Sequence, residues 1–120
     1  ITDLVRSAYG VDLAEATVCA ALGQDPRPIL ARQKLQPRAA RLILKHAHGV
    51  ARIAGGLSDL AERPGVLSLD VLVSDGQAAH VRVDEWTILG RTLVQAASGG
   101  EASQLALEIT SEAASRIALE

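Results

Sequence analysis

Four places in this sequence hold residue types that can do chemistry. His46 and His48 are one residue apart, so on a strand both imidazoles would face the same side and could share a metal. No third ligand stands at a useful spacing and His80 is distant, which favours solvated or capping histidines. Gly55-Gly56 ahead of a helical stretch has the outline of an anion-binding turn. It lacks both Gly-x-Gly-x-x-Gly and the P-loop lysine, which leaves a tight strand-to-helix turn. Asp84-Glu85 pairs two carboxylates beside Trp86. A general acid needs a buried or crowded carboxyl, whereas adjacent acids in a polar loop point apart and stay solvated. Cys19 sits in the apolar run Ala16-Thr17-Val18-Cys19-Ala20-Ala21 and reads as a small buried hydrophobe rather than a reactive thiol. No Ser/His/Asp or Cys/His constellation is legible, so no catalytic, cofactor-binding or metal-ligating residue is assigned. Trp86, the one tryptophan of an aromatic-poor chain, is singled out as an interface anchor.

Composition narrows the classes. The 120 residues suit one domain, and a hydrophobic fraction of 48% suffices for a core of Leu, Val, Ile and Ala, since Phe is absent. Net charge is −2, with Arg6, Arg27, Arg32, Arg38, Arg41, Arg52, Arg82 and Arg91 dispersed among acids. Without a basic stripe or aromatic platforms, nucleic-acid binding is not expected. A lone cysteine forms no intrachain disulfide, which fits a reducing, cytoplasmic setting. No apolar run reaches transmembrane length and no signal-peptide pattern is present, so no membrane partner is expected. The chain contains no Met and starts inside a helical pattern, which points to a processed or truncated piece.

The elements that must position these residues follow from periodicity and breakers. Residues 3–22 read as helix, broken near Gly10, with Asp12-Leu13-Ala14-Glu15 as a capping box and Gly23 as the stop. Residues 24–38, with Pro26, Pro28 and Pro37, read as an extended connector. Residues 39–54 read as extended, with Leu42 and Leu44 alternating against Arg41, Ile43 and Lys45, and a turn near Gly49. Leu57 to Arg63 reads as a short helix with Ser58 as N-cap, stopped by Pro64-Gly65. Val66 to Val73 is a strand expected to be buried on both faces around Val71-Leu72-Val73, and Ser74-Asp75-Gly76-Gln77 is a turn. Thr87 to Ala97 is a strand interrupted at Gly90 and broken by Gly99-Gly100. Glu101 to Ser115 is an amphipathic helix with Leu105, Ile109 and Ala113 on one face, and Ile117 to Leu119 a last strand. The fold class is therefore α+β: N-terminal helices, then an antiparallel sheet in β-α-β-β-α-β, ferredoxin-like order, with an additional strand at Leu42 to Lys45 at its edge or in a hairpin.

The order of short motifs resembles a known family. Gly10-Val11-Asp12-Leu13 and Ala20-Ala21-Leu22-Gly23-Gln24 look like the helix that follows the metal-binding Glu-x-Asn motif of ATP-grasp ligases, an element biotin carboxylase and its relatives also carry. Gly49-Val50, Gly56-Leu57, Pro64-Gly65-Val66, Asp75-Gly76 and Gly99-Gly100-Glu101-Ala102 then resemble, in order and spacing, the C-terminal subdomain of ATP-grasp carboxylate–amine ligases of the L-amino acid ligase type. The segment Asp84-Glu85-Trp86-Thr87-Ile88-Leu89-Gly90 departs from the longer Gly-hydrophobic hairpin usual there.

The resemblance implies that residues 1–38 are the end of an ATP-grasp domain and residues 39–120 a C-terminal α+β subdomain. Full-length relatives use ATP and Mg²⁺ to form an acyl phosphate that an amine attacks. Their phosphate-binding lysines, metal carboxylates and Asn would lie upstream of Ile1, so no residue of this chain inherits those roles and no cofactor is expected in it. The implied part is non-catalytic, although the full-length protein would be an enzyme. Its implied partners are the upstream ATP-grasp lobes of the same polypeptide and a second copy in a homo-oligomer. The alternative is a stand-alone ferredoxin-like module for small-ligand binding, regulation or oligomerisation.

Overall fold

A computed structural model describes residues 2–31 and 36–120. Helix α1 (Thr2–Tyr9) ends at Gly10, whose φ of +69° favours glycine. Asp12 then opens α2 (Leu13–Ala21) by accepting the Glu15 N–H at 3.0 Å. That backbone bond, helped by Arg6 at 2.9 Å, holds the Asp12 carboxyl below its ordinary value. The end of α2 is a Schellman turn: Gln24 N donates to Cys19 O and Gly23 N to Ala20 O, both at 3.0 Å, around Gly23 at φ +74°.

The expected connector holds a further helix, α3 (Arg27–Leu30). Prolines in a first helical turn forfeit no intrahelical bond, so Pro26 and Pro28 start this helix rather than forbid it. Asp25 supports the start by accepting Arg27 N at 3.0 Å. Positions 32–35 of the expected connector lie outside the described residues.

The remainder is β1 (Arg38–Lys45), β2 (Ala51–Ile53), α4 (Leu57–Ala61), β3 (Val66–Val71), β4 (Arg82–Val83), β5 (Trp86–Gln95), α5 (Gly99–Ser115) and β6 (Ile117–Leu119). The class is α+β. The element order from Ala51 onward is as expected apart from the short β4, but the pairing is not one ferredoxin-like sheet. A four-stranded antiparallel sheet runs β1-β5-β3 with β4 also on β5, while β2 and β6 form a separate pair. The extra strand β1 lies beside β5, so β2 is displaced onto β6. That smaller ladder is extended by reciprocal Val50 and Glu120 backbone bonds of 2.9 and 3.0 Å.

Helix α5 covers one face of the large sheet, packing on β1 and β5. The fully buried Ile43, Leu60, Leu89, Ile109 and Ile117 form the main core, and Val94 with Ala102 and Ala106 a second cluster. Thr87 and Thr92 are buried on β5 with both hydroxyls satisfied, Thr87 by Ala47 O and Thr92 by Ser68 O at 2.9 Å. β3 stops at Val71, short of the expected Val73, and Leu72 just beyond it is 55% exposed while Val71 and Val73 are half-buried, so this segment is not buried on both faces.

Three boundaries differ from expectation for local reasons. β5 ends before Gly99-Gly100 as expected, but these glycines form the first turn of α5, which starts two residues earlier than expected because Ser98 is the N-cap and accepts Glu101 N at 3.2 Å. Ser58 lies inside α4, whose cap is Gly56 at φ +76°. Gly90 does not interrupt β5. A Cβ there would stand 2.2 Å from Asp70 O, so glycine admits β3 at close range.

Glu112 on α5 links two arginines: Arg63 at 2.9 Å and Arg116 at 3.5 Å. Arg116 also donates to Gly56 O, so both ends of the α4 segment are tied to α5. The hydrogen bond from Arg63 chiefly holds the Glu112 carboxyl below its ordinary 4.5, against the opposing effect of burial.

Two predictions follow from this packing. Gly90→Ala is expected to destabilise by about 1–3 kcal/mol, because the clash is with backbone; a urea-unfolding midpoint equal to wild type would contradict it. Glu112 has a depressed folded-state pKa, so its contribution is complete above 4.5 and is lost as pH falls through the lowered value. The stability gap between wild type and Glu112→Gln should therefore shrink on acidification, as read by unfolding at a series of pH values. A gap that persists undiminished in acid would remove the carboxylate's charge as the cause.

Candidate functional site

The sequence-selected residues separate into one cluster and several isolated positions. His46 lies just past the end of β1, and Glu85 sits in the β4–β5 turn, where Asp84 takes a left-handed φ of 54°. The hairpin brings Glu85 Oε2 to 2.7 Å from His46 Nε2, with the carboxylate accepting. Trp86 starts β5 and meets the His46 ring edge-on, with centroids 5.1 Å apart. The His46 and Glu85 side chains are 59% and 81% exposed, which makes this a solvated pair of small energetic value. His48 and His80 are exposed elsewhere, and His48 does not share a strand face with His46, because both follow the last residue of β1. Cys19 is half-buried rather than packed in a core, and its Sγ lies 3.4 Å from Asp25 O at the start of α3.

Beside this cluster runs a groove of about 570 Å³ between β1 and α5, lined by Leu42, Leu44, Trp86, Thr110, Ser111 and Ala114. On the sheet face away from α5 lies a second depression of about 450 Å³, with Leu4, Leu42, Ser68, Arg91 and Leu93 in its wall. Arg41 borders both. Arg91 is engaged with Asp70 at 3.2 Å. Leu42, Leu44 and Trp86 are 47%, 39% and 47% exposed, while Ile43 between the leucines is fully buried. Alternation placed Leu42 and Leu44 on one strand face opposite Arg41, Ile43 and Lys45, but did not mark Arg41, Leu42 or Leu44 as groove residues. The available signal was the unbroken apolar run 42–44, since a strand covered on one face needs only Ile43.

Among the described residues no group of three or more His, Cys, Asp or Glu converges to hold a metal ion. The Gly55-Gly56 turn precedes a helix of only five residues and is occupied by the Arg116 guanidinium. No step through ATP or Mg²⁺ is therefore assigned to these residues. No helix among the described residues is long and apolar enough to cross a membrane.

No protein-family profile matches the chain, and no curated protein matches it. Its fold is similar to the crystal structure of phosphoribosylglycinamide synthetase from Anaerococcus prevotii, with a TM-score of 0.61 and 12% identity. The similarity covers 100% of this chain and 30% of that one. The chain thus spans under a third of the synthetase's length, and at this identity the likeness concerns the fold.

The exposed His46–Glu85 hydrogen bond yields a small expected effect. Glu85→Gln should change the free energy of unfolding by less than about 1 kcal/mol. A loss above about 2 kcal/mol in urea titration would make the pair a structural clamp for the hairpin instead.

Proposed function

We propose that this chain is the C-terminal, non-catalytic part of an ATP-dependent ATP-grasp ligase that joins a carboxylate to an amine through an acyl phosphate. The observation that carries the reading is the fold similarity along the whole chain to about a third of a synthetase. Phosphoribosylglycinamide synthetase is an ATP-grasp ligase, the class that the Gly10-to-Leu13 and Gly49-to-Ala102 motif order resembles. Motif spacing and the fold similarity both support this class.

In this reading residues 1–38 close the ATP-grasp domain and residues 39–120 form the C-terminal subdomain, in a cytoplasmic enzyme whose ATP and Mg²⁺ are held by upstream lobes of the same polypeptide. The subdomain packs against those lobes. The face of the large sheet away from α5, where Leu93 lines a depression and Leu72 is exposed just past β3, offers apolar surface for such packing. The stand-alone ferredoxin-like module has no specific observation in its favour, because the strands pair as two sheets.

The test has two readings. An antibody to this chain should detect, in its source, a polypeptide several times larger than 120 residues. Calorimetric titration of the 120-residue chain with Mg-ATP should give no heat of binding. A native polypeptide of this chain's own size, or tight Mg-ATP binding to the chain alone, would overturn the proposal.

A further inference from the structure

The two edges of the large sheet are protected unequally. Along β3 the ladder with β5 slips between Val66 and Ser68, so Leu67 is an extra residue that bulges that edge. Along β1 the slip between Ile43 and Leu44 skips Leu89 on β5, so β1 itself runs regularly for eight residues. β1 contains no proline, and Lys45, the charge that would guard its end, is turned inward to donate to Ile117 O. Among the described residues β1 pairs with β5 alone, and no backbone bond from outside the sheet reaches residues 38–45. Half of its N–H and C=O groups therefore point outward beside the groove that Leu42, Leu44, Trp86 and α5 line.

We propose that β1 is a dimer edge: two copies of this chain pair antiparallel, β1 against β1, about a two-fold axis at Leu42, joining their sheets into one. The charge pattern of β1 is compatible with its own copy in this register and not in the two adjacent ones. A perpendicular two-fold axis passes through a residue facing its own counterpart. With the axis at Leu42, Arg41 faces the partner's Ile43, Lys45 faces the partner's Ala39, and Leu44 faces the partner's Ala40. No like charges oppose, and the outward apolar side chains form one continuous row. Moving the axis to Arg41 sets that guanidinium against its own counterpart, and moving it to Ile43 sets Arg41 against Lys45. Both of those registers are penalised by repulsion.

The floor of the groove suits the same arrangement. α5 packs under β1 and contributes Thr110, Ser111 and Ala114 to the groove, small side chains that let two symmetry-related helices approach, with Arg41 the one charged side chain in the groove's lining. Trp86, beside Leu44 at the groove's end, would meet the segment around the partner's Ala40. This inference is independent of the ligase reading, since a dimer forms or fails regardless of nucleotide chemistry.

The experiment is sedimentation equilibrium on the 120-residue chain over a range of concentrations, together with oxidative cross-linking. Wild type is expected to sediment as a dimer. Leu42→Lys, at an exposed position that leaves the core intact, should raise the dimer dissociation constant at least about tenfold, while Leu67→Lys on the opposite edge leaves it unchanged. In a Cys19→Ser background, Leu42→Cys should form an intermolecular disulfide and Leu44→Cys should not, because only a residue at the axis faces its own counterpart. A monomer at every concentration, a dimer indifferent to Leu42→Lys, or cross-linking at 44 rather than 42 would each overturn the proposal.

Discussion

A single helix covers a single face of a four-stranded sheet, and the rest of the structure follows from that arrangement. β5 is the common partner of β1, β3 and β4, and α5 lies across it. The buried side of β5 carries Leu89 and Val94 together with two threonines whose hydroxyls bond to Ala47 O and Ser68 O. Those bonds fix β5 to its neighbours at two heights, because a buried hydroxyl left unpaired costs more than the bond contributes. On the other face α1 packs on β1 and Leu4 shares a depression with Leu42 and Leu93; Leu42 is still 47% exposed, and the grooves of this chain lie on that face and along its edges.

The requirement that β3 approach β5 closely also explains the glycine pattern. Gly90 and Gly65 both sit where a Cβ would strike backbone, 2.2 Å from Asp70 O and 2.7 Å from Gln95 O. Gly65 in addition takes φ +89°, so it combines the turn after α4 with close contact to the sheet. A breaker in the sequence is thus a statement about space as much as about chain direction. From sequence alone, Gly90 is indistinguishable from an interruption, because its neighbour Asp70 is 20 residues away along the chain.

Elements set by local chemistry were legible: the Asp12 cap, the Gly23 stop, the Asp75-Gly76 turn, the amphipathic face of α5 and the last short strand. Pairing partners were not. The alternation of Arg38–Lys45 identifies a strand without saying that it will take the place beside β5 and displace β2 onto β6. The candidate site divides in the same way. Trp86, His46 and Glu85 were visible as residue types, but their meeting depends on a hairpin whose first strand is two residues long, too short to give a periodic signal. Leu42 was visible as part of an alternating pattern, yet whether Leu42 or Ile43 faces inward is decided by α5, which is distant in sequence.

The C-terminal segment shows how such distant decisions are enforced. Arg116 N–H groups reach Gly56 O and Glu112, Ile117 O accepts from Lys45, and Glu120 exchanges backbone bonds with Val50. Within five residues the chain therefore fastens α4, the end of β1 and the start of β2 to the end of α5. Gly49 permits the last of these contacts, since a Cβ there would lie 2.3 Å from Glu120 O. Lys45 is held by the same segment, which takes away from β1 the charge that would otherwise shield its end. The interaction that closes the small β2–β6 sheet and the one that leaves the β1 edge unguarded thus share a cause: the path the chain takes immediately after α5.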